Sequence, residues 1–247
     1  MKAKIGWLVL FLFCAPFLAF SQTGEELIAQ GDELFQQMAD METAQNALSL
    51  YRQAVDKLEN DYEAFWRISR MMYYVGTHTA EKKEQKSIFS QGVYFAERAV
   101  DLEPERPDGH YWLGVNNGKV GEVRGVLKSL FLVKPIKAAM NKVIELDRSY
   151  EDGGPDRVLG RVYFKLPGFA GGSKDKSIEH LLKSLEYGPN DPVTRLYLAE
   201  TYLSKKEKEK AREQLEFIMG MEEDPRWTND IAECKVEAKE MLEKKFK

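Results

Sequence analysis

The stretch with the most chemical promise is LPGFAGGSKDKS, Leu166 to Ser177, where glycines run into lysine and serine. Backbone amides of such a loop can cradle a phosphate when the pattern is Gly-x4-Gly-Lys-Ser/Thr and a buried strand precedes it. Counting from Gly168, the second glycine position holds Ser173, and Lys174 is followed by Asp175, an acid where a hydroxyl is required. The segment upstream, RVLGRVYF at 157–164, has helical rather than strand spacing. The residues therefore predict a connector. Pro167 ends one helix, the glycines permit a left-handed turn, and Ser173 or Asp175 caps a helix running from about Lys176.

Other clusters fare no better as reaction centres. EDGGPDR, 151–157, offers Glu151, Asp152 and Asp156 to a cation, but not at the spacing of an EF-hand loop. It reads as a turn between helices with Pro155 in a first helical turn. His78, His110 and His180 match no zinc spacing, and no G-x-S-x-G, H-E-x-x-H or Cys-His arrangement occurs. SKKEKEKAR, 204–212, is a solvated turn and helix start. These patterns predict no catalytic residue, no metal site and no cofactor, and a protein that is not an enzyme.

Hydrophobic residues are 43% and charged residues 31% of 247, so it is local departures that inform. At the N-terminus, Lys2 and Lys4 precede an apolar run from Ile5 to about Phe20, with Ala19 and Ser21 at the small positions of a cleavage site. That is the layout of a secretory signal peptide, residues 1–21, cut before Gln22, and it predicts a periplasmic protein. Removal of those residues moves the formal charge from −4 to −6 and leaves Cys234 without a disulfide partner. Without a block of Lys and Arg the chain is no candidate for nucleic-acid binding.

The elements that must position any site are helices. HYWLGVNNG, RVLGRVYF and RLYLAETYL share leucine followed by a small residue: Leu113-Gly114, Leu159-Gly160 and Leu198-Ala199, the last two with Tyr163 and Tyr202 three further on. With Pro192 as the first position, Leu198, Ala199, Tyr202, Ala211 and Leu215 fall on the tetratricopeptide pattern, and Pro225 closes a unit of 34 residues. Ser177, Leu181, Ser184 and Pro189 continue the phase upstream, as do Ala99, Pro104, Ala47, Tyr51, Ala54, Phe65, Ile68 and Met72. The fold expected is all-α, a right-handed superhelix of tetratricopeptide-like hairpins over residues 22–247. Its units lie at about 28–61, 62–106, 107–150, 153–191 and 192–225, with a capping helix at about 229–246 begun by Thr228 or Asn229. Leu113 to Leu159 spans 12 residues more than one repeat, and Leu159 to Leu198 five more. The second excess is the glycine loop. The first holds the apolar residues Val126, Leu127, Leu130, Phe131 and Val133, with Pro135 in the first turn of the helix after them.

The segment from GVLKSLF to SIEHLLKSLE, with ELDRSY, GGPDRVLG and KLPGFAGG between, resembles the T-component family of tripartite ATP-independent periplasmic (TRAP) transporters over roughly residues 90–245. The resemblance implies an exported, non-enzymatic helical protein that partners a periplasmic solute-binding protein. A looser similarity, in the LG, ELD and repeat phase, runs to the regulator-of-microtubule-dynamics group. Lipid-anchored T-components carry a lipobox that Phe11-Leu12-Phe13 before Cys14 do not form.

In a repeat array, first-helix positions 2, 5, 9 and 12 line the concave face. They select Trp66, Arg70 and Tyr73, then Tyr111 and Val115, then Arg157, Arg161 and Phe164 with Lys165 beside them, then Leu196, Glu200 and Leu203. Aromatic and arginine side chains on one face are what protein contacts favour. The partner-binding set is therefore Trp66, Arg70, Tyr73, Tyr111, Arg157, Arg161, Phe164 and Lys165, with Phe169 at the tip of the glycine loop. The competing reading is that aromatics in this set pack between helices. The partner expected is a protein, whether a solute-binding component or a second copy of this chain. The alternative is a carrier that encloses an apolar small molecule or lipid against residues 126–133. That segment, flanked by Lys128, Lys134 and Lys137, either folds back to fill the core, the preferred reading, or stands exposed to a partner, a sister subunit or a membrane surface.

Overall fold

The computed structural model describes residues 22–37, 40–224 and 228–246, so the expected signal peptide and Pro225 lie outside the described residues. Eleven α-helices and no strand occur among those described: α1 Gly24–Gln36, α2 Met41–Leu58, α3 Tyr62–Thr77, α4 Lys82–Leu102, α5 Pro107–Arg124, α6 Val133–Asp147, α7 Tyr150–Lys165, α8 Lys174–Tyr187, α9 Pro192–Ser204, α10 Lys208–Met219 and α11 Thr228–Lys245. Consecutive helices pair as antiparallel hairpins, α1 with α2 through to α9 with α10, and α11 covers the last. The protein is a tetratricopeptide-like helical solenoid.

Local chemistry sets the helix starts. Thr23 and Glu26 form a reciprocal capping box on α1; Asp40, Asp61, Ser173 and Asp191 accept backbone N–H bonds at the starts of α2, α3, α8 and α9. Each cap satisfies a donor with no partner inside the helix, worth about 1 kcal/mol. Pro107 and Pro192 occupy the first turn, where a missing N–H costs nothing. A small buried residue lies seven beyond Gly24, Tyr62, Pro107, Gly153 and Pro192: Gly31, Ser69, Gly114, Gly160 and Ala199. There the two helices of a hairpin come closest. A Cβ on Gly160 would sit 2.6 Å from Leu181 Cγ of the facing helix. Gly31 and Ser69 extend to the first two hairpins a pattern legible only in the last three.

Both insertions have defined places. The glycine loop is a connector, as expected: Ser173 caps α8, which starts at Lys174, slightly earlier than anticipated, and Gly171 takes the left-handed φ of 87°. Ala170 N and Gly172 N donate to Pro167 O, Gly171 N to Gly168 O and Ser173 N to Tyr163 O, so these four amides are used by the chain itself. The longer insertion forms a 3-10 helix, Val126–Leu132, leading directly into α6 with Pro135 in its first turn. It does not fill the core. Ser129 is buried and Val126, Leu130 and Leu132 are half-buried, while Leu127 and Phe131 stand out in solvent. Seven residues in a 3-10 helix repeat every three, so only one of its three columns can face inward.

Candidate functional site: a concave cavity

Four first helices, α3, α5, α7 and α9, together with the capping helix α11, the start of α6 and the 3-10 helix, enclose a cavity of about 270 Å3. Tyr73 of α3, Tyr111, Trp112, Val115 and Lys119 of α5, Arg157, Val158, Arg161 and Lys165 of α7, Val193 and Tyr197 of α9 and Asp230 of α11 line it, and Val126, Ser129 and Leu132 close one side. The last three follow the 3-10 period. The bowl curves far enough that α11 meets α3, where His78 Nε2 lies 3.4 Å from Glu233 Oε1.

The walls are aromatic and the polar groups unequally satisfied. Arg157 Nη1 donates to Asp191 Oδ2 at 2.5 Å and Nη2 to Tyr111 Oη at 3.0 Å. Asp191, fully buried, also caps α9 through Val193 N. The pair therefore ties the fourth hairpin to the fifth while its guanidinium edges the cavity. Arg161 is bonded to Glu200 and lies 4.0 Å over the Tyr197 ring. Trp112 Nε1, Ser129 Oγ and Arg161 Nε have no hydrogen-bond partner in the protein although each is buried. A buried donor left without a partner costs roughly 1–3 kcal/mol, so three around one hollow mark it as a place for an occupant.

Enclosure also shifts ionisation. Burial drives the Asp230 carboxyl up to about 6, with Arg157 opposing and Asp191 and Glu233 reinforcing. The Glu151 carboxyl, at the cavity rim, is raised by the same desolvation although the residue keeps accessible surface. Burial pushes the Tyr197 phenol to about 12. Burial alone would lower the Lys119 ammonium, but the Tyr73 phenol and the Glu122 carboxylate outweigh it and raise that group. Glu151 and Asp152 hold positive φ values of 50° and 55°, a strained turn that places Glu151 at the cavity before the regular part of α7 begins near Pro155.

Of the residues selected from sequence, Tyr73, Tyr111, Val115, Arg157, Arg161 and Lys165 line the cavity. Trp66 does not. It is 8% exposed within the core, its indole N–H donating to Glu63 Oε2, so there the packing alternative is the correct one. Arg70 lies in a separate cluster, stacked 3.5 Å over Phe35. Phe164 packs under the Lys174 ammonium, and Phe169 is 82% exposed on the short 3-10 turn Gly168–Ala170, away from the cavity. Leu196, on α9, is buried in the core that α9 shares with α10 and α11. Sequence reasoning missed Trp112, Lys119, Ser129 and Asp230. Trp112 and Lys119 are seven apart on α5, a helical spacing that could have revealed them; Asp230 reaches the site only through the curvature of the array. Asp156 is fully buried and engaged with side chains of its own chain. It accepts from Arg148 Nε and contacts His180 Nδ1, both at 2.7 Å, and these bonds outweigh burial and hold its carboxyl low.

Residues 27–153 match the family model described as regulator of microtubule dynamics protein 1-3. The chain belongs to that family. Regulator of microtubule dynamics protein 1 from Mus musculus is 23% identical over 235 residues, covering 88% of this chain and 73% of the mouse protein. The same-named protein from Bos taurus is 25% identical over 124 residues, 50% of this chain and 37% of the bovine one, so this chain spans little more than a third of that relative in the matched region. Among solved structures, a thermophilic TPR protein of Thermus thermophilus superposes with a TM-score of 0.64 at 17% identity, covering 87% of this chain and all of that one. MamA from Desulfovibrio magneticus RS-1 reaches 0.52 at 14% identity, over 89% of this chain and 98% of that one. These likenesses identify the fold. The family match ends at Gly153, so Arg157, Val158, Arg161 and Lys165 of α7 and the α9 and α11 walls of the cavity lie beyond it.

Proposed function

We infer that this member of the regulator of microtubule dynamics family is a non-catalytic scaffold that captures a protein partner by taking apolar anchor side chains into the concave cavity. The carrying observation is an aromatic hollow of about 270 Å3 ringed by three partnerless polar atoms. Such a volume is at the small end for ligand pockets and suits a few side chains, with Trp112 Nε1 and Ser129 Oγ free to bond a backbone carbonyl or amide. The chain is exported through cleavage before Gln22 and works in the periplasm. Its partner there is the solute-binding component of a transporter, as the TRAP T-component resemblance implies. N-terminal sequencing of the protein recovered from an exporting host should start at Gln22.

The cavity itself is tested at Gly118, which lines it and has open space where a Cβ would project. Gly118→Phe should fill the hollow and abolish partner capture while helicity stays unchanged; full capture by that variant would remove the cavity from the mechanism. A second reading, a carrier for an apolar small molecule, is favoured by the wall that residues 126–132 supply. Native mass spectrometry of the purified chain would then show an added apolar mass that Gly118→Phe eliminates, and a clean apo mass would dismiss it.

A further inference from the structure

The 3-10 helix has an outer face that the cavity does not use. With three residues per turn, Val126, Ser129 and Leu132 point to the hollow, and Lys128 and Phe131 fall on the opposite column. Leu127 is 68% and Phe131 61% exposed, and Phe169 on the short 3-10 turn is 82% exposed. Leu130 and Val133, in the same column as Leu127, and Ala170, next to Phe169, line one surface, which brings the two 3-10 segments together. A shallow depression lined by Leu130, Val133, Lys134, Lys137, Ala138 and Ala170 joins the two 3-10 segments. Lys137 and Lys176 both lie over the Tyr163 ring, at 3.9 and 5.5 Å, bringing α6 and the start of α8 to the same side.

The charge around the knobs is one-sided. From Arg124 to Lys137 there are four cations and no carboxylate, in a chain whose net charge is −4; the next cation, Lys142, is paired with Glu105 and Glu145. Among the described residues, no carboxylate lies within ion-pair distance of Lys128, Lys134 or Lys137, and Arg124 sits 5.3 Å over the Phe131 ring. A soluble protein gains nothing by displaying Leu, Phe and Phe on short rigid turns, and unpaired lysines around them repel another cationic face. Apolar tips that enter the acyl boundary, ringed by cations at headgroup level, are how an amphipathic surface grips an anionic bilayer.

We propose that Leu127, Phe131 and Phe169, with Lys128, Lys134 and Lys137, form a docking face for an anionic lipid bilayer. No described helix is long and apolar enough to cross a membrane, so this contact is interfacial. The proposal is independent of what the cavity holds.

The test uses the mature chain from Gln22, with Phe131→Cys carrying an environment-sensitive fluorophore; its other cysteine, Cys234, is 4% exposed and escapes labelling. A label on Lys83→Cys, exposed on α4, is the control. Vesicles of phosphatidylcholine with about 30% phosphatidylglycerol should blue-shift the label at position 131 and leave that at position 83 unmoved; pure phosphatidylcholine should do little. Adding Leu127→Asp and Phe169→Asp should weaken partitioning about tenfold or more. Salt should also weaken it, since the screening length falls from about 30 Å at 0.01 M to about 8 Å at 0.15 M. An unmoved label at position 131 while the protein sediments with vesicles would overturn the proposal by placing the contact elsewhere. So would no association at low salt. A concentration-dependent dimer abolished by the two aspartates, with no vesicle response, would assign the face to a second copy instead.

Discussion

Two arginine-aromatic clusters lie on first helices of this array, and they differ in what fills them. Around α1 to α3, Arg67 grips both Asp32 oxygens at 2.8 and 3.0 Å, Tyr51 donates to the same carboxylate, and Phe35 lies flat under Arg70. The protein itself occupies that part of the groove: α1 supplies the anion and the ring that a partner would otherwise bring. Around α5 to α9 the residue types are the same, but three polar atoms, Trp112 Nε1, Ser129 Oγ and Arg161 Nε, are left without partners, against Arg70 Nε alone in the first cluster. The 3-10 insertion roofs that hollow without filling it. Residue type thus marks a groove-facing position, and only the occupant tells a finished interface from an open one.

The sharpest way to break this contrast is at Arg157, which belongs to the cavity wall and yet, like Arg67, is fully engaged with a carboxylate of its own chain. Arg157→Ala should strip the fully buried Asp191 of its counter-ion and cost about 3–5 kcal/mol in urea unfolding. A loss below about 1 kcal/mol would mean that Asp191 is held by its capping bonds alone and that Arg157 is free to serve a ligand. Charge reversal at Arg157 and Arg161 together is therefore a poor probe of partner capture, because it attacks the fold as well as the groove.

Asp230 tests whether the hollow is a low-dielectric space. Its folded pKa, about 6, is above the ordinary 3.8, so the native state binds a proton more readily than the unfolded chain. The stabilisation is full below about pH 4 and is lost as pH rises through 6, by on the order of 2–3 kcal/mol. Asp230→Asn should flatten that fall and raise stability at pH 7.5. A variant with the wild-type pH profile would place Asp230 in open water.

Much of the scaffold was legible because repeats write their close approaches into sequence. Leu198, Ala199, Ala211 and Leu215 are all fully buried at the positions their phase assigns. Gly31 and Ser69 are hidden in the sequence because no leucine precedes them, although they occupy the same place in their hairpins. The site was legible only by half. Periodicity names the face of a helix but not the depth of the groove, and so it selects Trp66 although Glu63 holds that indole in the core. Ser129 and Asp230 carry no signal at all: one needs the 3-10 period of the insertion, the other the curvature that brings α11 opposite α3.

The α1–α3 cluster should respond to loss of its anion, but less than the buried pair does. Asp32 keeps 31% of its side chain exposed, so Asp32→Asn should cost only about 1 kcal/mol. Burial acts to raise the Asp32 carboxyl, but bonds from Arg67 and Tyr51 outweigh it and hold the group below 3.8. Its contribution is thus present above that value and lost as pH falls through the lower folded one, opposite in sign to Asp230. Melting curves in which Asp32→Asn matters equally at pH 2 and pH 7 would show that the carboxylate charge is not what closes this end of the groove.

Gly118 gives the smallest effect and the clearest separation of scaffold from site. It lies within α5, where glycine costs about 0.5–1 kcal/mol relative to alanine, and no atom stands within 4 Å of the position its Cβ would take. Gly118→Ala should therefore raise the unfolding free energy by about that much, since the helix gains propensity and displaces nothing. At Gly160, where α7 and α8 come closest, the same change must fail: a Cβ there runs into Leu181, so Gly160→Ala should destabilise. If both substitutions destabilise, the space beside Gly118 is already used by the fold, and the cavity loses its claim to an outside occupant.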